Sequence, residues 1–299
     1  MKVKHFFDPD TFTLTYVVYD EKTKDAIVID PVLDFDQATG SIENKSIAPL
    51  VNFVQENKLQ MHYILETHAH ADHVTAAQIV KSKFPRAKIA VSSRILEVQK
   101  VFKDVFNLTN FLANGSDFDL LLNDHESLCA GSFSIKILPT PGHTPACTCF
   151  YIDDFLFTGD ALFMPDFGTG RCDFPGGSAT SLFHSVKSLY DLPNETKVFV
   201  GHDYMPGGRE LKFETSILES KKHNIQLNEK ITLEEFIQFR EGRDQTLKAP
   251  KLLFPSLQMN IRAGQLPEAE SNGKSYLKLP LQINQLQINQ VDHFDISKS

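Results

Sequence analysis

The sequence predicts an α/β fold, and three observations carry that expectation. Runs rich in β-branched and aromatic residues alternate with segments whose apolar residues repeat at helical spacing. Four of the β-rich runs stop at a loop that at once presents His68, His143, Asp160 or His202. Directly behind one of them, the stretch Thr67–His73 (T-H-A-H-A-D-H) packs three imidazoles and a carboxylate into seven residues.

The chain's bulk properties suit such a fold. It has 299 residues, 41% apolar and 23% charged, which is ordinary for a globular protein long enough to bury a full core. A net charge of −8 argues against nonspecific nucleic-acid binding. Met1–Pro9 has neither an apolar leader core nor an Arg-rich amphipathic pattern, and no run approaches the ~20 apolar residues that span a bilayer. The expected place is therefore the cytoplasm, where Cys129, Cys147, Cys149 and Cys172 remain reduced.

Thr13–Tyr19 and Asp25–Ile29, joined by D-E-K-T-K, predict an antiparallel hairpin that Pro31 brings to an end. A polar loop is expected through Ser46. Ile47, Leu50, Val51 and Val54 give a helix with one apolar stripe, leading into the strand Met61–Glu66 before the histidine run. Ala76, Ala77, Val80 and Phe84 give a second helix, stopped by Pro85; Lys88–Val91 is a strand, and Ser93–Phe106 a third helix. Residues 107–126 show no single period.

Phe133, Ile135 and Ile137 alternate with polar residues as a half-buried strand does, up to P-T-P-G-H at 139–143. Thr148–Ile152 and Phe155–Phe157 flank Asp153-Asp154 as a second hairpin running into Thr158-Gly159-Asp160. Lys197–Val200 is a strand ending at G-H-D-Y. Beyond it, Phe213, Ile217 and Leu218 suggest a helix, and T-L-E-E at 232–235 is a capping box opening another with Phe236 and Phe239 inward. From Ala249 the prolines forbid long elements, and the tail repeats L-Q-I-N-Q at 281–285 and 286–290, either as an extra strand or as a frayed end.

Strand ends aim their loops over a common rim, so His68, His143, Asp160 and His202 can meet although far apart in sequence. Such a convergence of imidazoles and carboxylates is metal-ligand chemistry. H-x-H-x-D-H, then P-x-P-G-H-T, then T-G-D, then a strand ending in G-H, resembles the metallo-β-lactamase superfamily in the same order. The resemblance implies an αββα sandwich of two mixed β-sheets flanked by helices, with the metal at one rim. Together with G-R-C-D-F at 170–174, H-D-Y at 202–204 and N-I-R-A-G at 260–264, the motifs resemble the persulfide dioxygenases, in particular the bacterial β-lactamase-hydrolase-like branch. That likeness places a catalytic domain at residues 1–265 and an extension at 266–299. Two departures stand out: Ala69 occupies a position of cysteine in the mitochondrial type, and Cys172 one of threonine.

The resemblance further implies one iron(II) per chain, held by His68, His143 and Asp160 and leaving open positions as in facial-triad oxygenases. His70, Asp72, His73 and His202 would surround and orient these ligands; in a two-metal hydrolase the same four would bind metal themselves. Arg171 and Arg262 are the implied partners of a substrate carboxylate, and Tyr204 offers a hydroxyl. The implied substrates are glutathione persulfide and O₂, with sulfite and glutathione as products. A homodimer is the expected assembly, and a rhodanese or sulfide-responsive regulator the implied functional partner. The alternatives are a glyoxalase II-like hydrolase of hydroxyacylglutathione thiolesters with two metals, and a non-catalytic persulfide or metal sensor.

Overall fold

The structure, a computed structural model, describes residues 1–281. A meander of β1 (Lys2–Asp8), β2 (Thr13–Tyr19) and β3 (Asp25–Ile29) is followed by a short hairpin, β4 (Val32–Asp36) and β5 (Ser41–Glu43). Helix α1 (Ile47–Glu56) leads to β6 (Gln60–Leu65); after the histidine loop come β7 (Val74–Thr75), α2 (Ala77–Lys83), β8 (Lys88–Ser92), α3 (Ile95–Val105) and β9 (Leu120–Leu122). The second half holds β10 (Ser127–Ala130), β11 (Phe133–Pro139), β12 (Thr148–Ile152), β13 (Phe155–Phe157), α4 (Ala179–Leu189), β14 (Lys197–Phe199) and β15 (Glu214–Ser216). Helices α5 (Ile217–His223), α6 (Leu233–Asp244) and α7 (Leu253–Asn260) complete it.

Two six-stranded sheets result, ordered β1-β2-β3-β6-β8-β9 and β10-β11-β12-β13-β14-β15, with β5-β4-β7 as a small third sheet. Both large sheets are mixed: β3, β6, β8 and β9 run parallel, as do β13 and β14, while the remaining neighbours are antiparallel. Alternate residues of one strand serve two layers. Tyr16 and Val18 of β2 pack with Ile135, Phe150 and Phe157 of the facing sheet, whereas Val17 packs outward with the cluster that contains Leu50 of α1 and Val98 of α3. Burial on both faces explains why β2, β3 and β8 read as almost unbroken apolar runs. This is the αββα arrangement that the motifs implied.

The histidine-run strand and the two main hairpins form as expected, and other elements differ: the helix expected from Phe213, Ile217 and Leu218 begins only at Ile217, after the strand β15. The expected polar loop before Ser46 contains the hairpin β4–β5, whose second strand is wholly exposed and so carries no apolar alternation. The segment 107–126 contributes β9, and α4 was not foreseen although Leu182, Val186 and Leu189 form its buried stripe. In α6 the capping box is present and Phe236 is buried, but Phe239 is 43% exposed, because the buried side of this helix is completed by Arg240 and Asp244 instead. The alternative strand or frayed-end readings of the tail concern residues that lie, but for Leu281, outside the described residues. Among the described residues, no helix is long and apolar enough to cross a membrane.

Candidate metal centre

The loop after β6 turns back on itself, and the loops after β11, β13 and β14 reach the same point. His68, His143 and Asp160 each offer a ligand atom within 4.8 Å of the others. Asp72, Asp160 and His202 form a second such group, His70, Asp72 and His73 a third, and Asp30, Glu66 and His70 a fourth. Asp160 is thus shared between two groups, with its Oδ2 3.6 Å from His143 Nε2 and its Oδ1 3.3 Å from His202 Nε2. The preceding Gly159 has φ +48 and would bring a Cβ within 2.5 Å of the Thr67 hydroxyl, so the T-G-D turn requires glycine on both counts.

Hydrogen bonds around the rim settle which ring nitrogen of each histidine is free. His143 Nδ1 donates to the carbonyl of Arg171 at 2.6 Å, leaving Nε2 with its lone pair. Thr67 Oγ1 gives its proton to Asp30 Oδ2 at 2.8 Å and therefore accepts from His68 Nδ1 at 3.0 Å. Thr11 Oγ1 donates to Asp8, so it accepts from Thr13 Oγ1 at 2.8 Å; Thr13 in turn can only accept, from His73 Nδ1 at 3.3 Å and His202 Nδ1 at 3.4 Å. Every one of these four rings thus keeps Nε2 bare. His68, His73 and His202 Nε2 and Asp160 Oδ1 are buried without a hydrogen-bond partner, a cost that a bound cation removes.

Charge follows the same pattern. Burial, aided by His70 and His143, pushes His68 well below the ordinary imidazole range, which favours the neutral, ligating form. Burial likewise lowers His73. Burial would raise Asp72, but His202 and His73 hold it well below the usual carboxylate range. His70 is the exception. Burial alone would lower it, yet Asp30 and Glu66 hold it well above the ordinary value, its Nε2 lying 3.0 Å from Asp30 Oδ1 and 3.6 Å from Glu66 Oε2.

A cavity of about 1190 Å³ opens over Asp72, His143 and Asp160. Arg171 and Tyr204 line it, and Arg262 does not. Arg171 binds Asp173 through Nε and Nη2, both at 2.5 Å, and the Lys248 carbonyl through Nη1. Tyr204 stacks on His202, and burial with the Asp72 and Asp160 carboxylates pushes its phenol well above the ordinary range, so the hydroxyl keeps its proton. Arg262, expected as a substrate contact, lies away from this cavity, its guanidinium over the Phe111 ring at 4.7 Å from the ring centre. Sequence reasoning missed Asp8, Thr11, Thr13, Asp30 and Glu66, whose common residue types give no signal. It also missed Asn260, which stands in the quoted N-I-R-A-G motif.

Cys147, Cys149 and Cys172 are buried thiols; burial, with the Asp244 charge, pushes Cys172 up to about 12, and burial takes Cys149 to about 12.

The metallo-β-lactamase superfamily model matches residues 8–202. Glyoxylase B2 of Dictyostelium discoideum is 45% identical over 94% of this chain and 97% of its own length. A β-lactamase hydrolase-like protein of Agrobacterium fabrum is 42% identical over 94% of this chain, which spans 65% of that protein. The human mitochondrial persulfide dioxygenase ETHE1 is 30% identical, with 89% and 91% covered. The crystal structure of ETHE1 from Myxococcus xanthus superposes with a TM-score of 0.71 at 31% identity, covering 89% of this chain and all of the other. With the ligand-bearing loops on one rim of an αββα sandwich, these likenesses make the chain a member of the metallo-β-lactamase superfamily, related to its persulfide dioxygenases and to its bacterial β-lactamase hydrolase-like proteins.

Proposed function

We propose that the protein is a mononuclear iron(II) dioxygenase that oxidises glutathione persulfide. The observation that carries the reading is the group His68, His143 and Asp160, where two bare Nε2 atoms and one carboxylate converge, His143 and Asp160 lining a large cavity and His68 buried beside them. Two imidazoles and a carboxylate are the donor set of iron(II) oxygenases and leave room for two further ligands. An iron(II) ion held by His68, His143 and Asp160 would supply the redox chemistry for adding both atoms of O₂ to the terminal sulfur. Hydrolysis of the sulfinate completes the balance: one persulfide, one O₂ and one water give one sulfite, one glutathione and two protons.

The chain's own residues bind and orient. Arg171, Arg243, Lys248 and Lys251 line the cavity and would offer positive charge to the substrate carboxylates, and Asp10, Asp34 and Asp36, which also line it, would suit its ammonium group. Tyr204 donates a hydrogen bond near the sulfur, and Phe163, Phe167 and Phe174 keep water from the reacting atoms. Asp72, His73 and His202 surround the ligands, and His70 is held off by its carboxylates. The cytoplasm and the glutathione carrier belong to this reading as well.

A second reading is a two-metal thiolester hydrolase. It is favoured by the group Asp72, Asp160 and His202, whose bare Nε2 would complete a neighbouring site, and by the 45% identity to a protein named glyoxylase. One experiment separates the two. The protein is purified anaerobically, its iron and zinc are measured, and O₂ uptake with glutathione persulfide is followed in parallel with S-lactoylglutathione hydrolysis. Persulfide-dependent O₂ uptake by the iron form is the expected result; an iron-loaded sample that consumes none overturns the proposal.

A further inference from the structure

We infer that Asn260, far from the metal ligands in sequence, is a positioning residue that sets the curvature of the histidine loop. It is 4% exposed, and three of the four hydrogen-bonding directions of its carboxamide are spent on that loop. Asn260 Oδ1 accepts from the Thr75 amide at 2.9 Å. Its Nδ2 donates to the carbonyls of His70 and His73, both at 2.8 Å. A single carboxamide therefore fixes three backbone groups across the part of the loop that carries His70, Asp72 and His73. The inference rests on the metal centre of the preceding reading, and not on which reaction that centre performs.

The rest of the N-I-R-A-G segment holds Asn260 in place. The chain leaves α7 by a Schellman turn: Gly264 N–H bonds Met259 O at 2.9 Å and Ala263 N–H bonds Asn260 O at 3.1 Å. Ala263 has φ +55 and Gly264 φ +79. A Cβ at Gly264 would lie 2.9 Å from the Thr75 carbonyl oxygen, so glycine lets the turn approach the loop. Gln78 Nε2 donates to Ala263 O and Gln99 Nε2 to Ile261 O, pinning the turn from α2 and α3. The Arg262 side chain lies on Phe111. No other side chain on α7 reaches the histidine loop by a hydrogen bond among the described residues, which singles out the carboxamide.

Residues that orient metal ligands from behind typically matter 10–100-fold for metal affinity. The test uses the full chain as apoprotein, reloaded with one equivalent of cobalt(II). Asn260→Ala is expected to change the cobalt d–d absorption and to speed metal loss to a chelator at least tenfold. Gln258→Ala, which breaks the bonds of α7 to the Lys278 backbone without touching the turn or the loop, is the comparison: it should lower the melting temperature but leave spectrum and release rate as in the parent. Asn260→Asp keeps the shape and the Thr75 acceptor but turns a carboxylate oxygen toward two carbonyls, and it is expected to behave as Asn260→Ala does. Should Asn260→Ala fail to fold, Asn260→Asp decides alone. A parent-like cobalt spectrum and release rate in the folded variant overturns the inference, whatever happens to its stability. Failure of the parent to bind cobalt at all would instead sink the metal centre itself.

Discussion

Replacing Thr67 by valine probes how His68 is made ready for a metal. The change is nearly isosteric and removes one hydroxyl. In the parent that hydroxyl donates to Asp30 Oδ2 at 2.8 Å and accepts from His68 Nδ1 at 3.0 Å, while the Thr67 amide separately donates to Asp30 Oδ1 at 2.8 Å. Valine leaves a buried N–H of His68 without an acceptor and strips one donor from a buried carboxylate. Hydrogen bonds to charged groups contribute about 1.5–3 kcal/mol, so the folded apoprotein should lose about 2 kcal/mol. Without its partner the His68 ring is free to turn over or change tautomer, and metal affinity should fall 10–100-fold, about 1.4–2.7 kcal/mol. Chelator competition measures the affinity and urea unfolding of the apoprotein the stability. Thr67→Ser restores the hydroxyl and should recover most of both. Parent-like metal affinity in Thr67→Val, or an equal loss in Thr67→Ser, would refute the relay from His68 through Thr67 to Asp30.

Three further outcomes follow from the geometry. Arg171→Ala should raise KM for glutathione persulfide about tenfold or more at unchanged metal content, whereas Arg262→Ala should leave KM alone and cost about 0.5–1 kcal/mol of stability through the lost stacking on Phe111; steady-state kinetics with metal analysis checks both. At the opposite end of the sheets burial would raise Asp25, but the Thr23 hydroxyl, His62 at 2.6 Å and the Ser132 amide hold it down at about 2. Because the folded value is depressed, the stability it brings is present above the unfolded value near 3.8 and is lost as pH falls toward about 2; Asp25→Asn should flatten that part of an acid-unfolding curve, and an unchanged curve would show that the carboxylate contributes nothing. Finally, iodoacetamide at neutral pH should label Cys129 and spare Cys147, Cys149 and Cys172, read by mass spectrometry of tryptic peptides, since burial disfavours the thiolate at the last three.

The parts of this molecule that could be read from sequence are those in which local pattern and burial coincide. Ile47, Leu50, Val51 and Val54 announce α1 because one stripe of that helix is buried. The His68 strand announces itself because both faces of the sheet are covered. The hairpin β4–β5 went unread for the opposite reason, since β5 is wholly exposed and only Val32 and Leu33 of β4 are buried, too few to show a period. At the site, rare residue types gave themselves away, as His68, His143, Asp160 and His202 did. Thr13 and Thr67 did not, because a threonine that fixes a tautomer looks like any threonine in a strand. Arg262 shows the limit of a motif: its conspicuous charge suggested a ligand contact, while the plain amide two residues earlier carries the connection to the loop.

The distances in sequence across the rim have a consequence for the order in which the protein assembles. Thr13 meets His202 across 189 residues, and Thr75 meets Asn260 across 185. Contacts of such long range are entropically expensive to close and form late. During synthesis, every histidine and aspartate of the rim has been made by the time residue 203 is added, yet the carboxamide that shapes their loop has still to appear. Among the described residues α7 is the last helix to be made and the one whose carboxamide reaches the loop, so a newly synthesised chain is expected to gain its full metal affinity only when α7 docks.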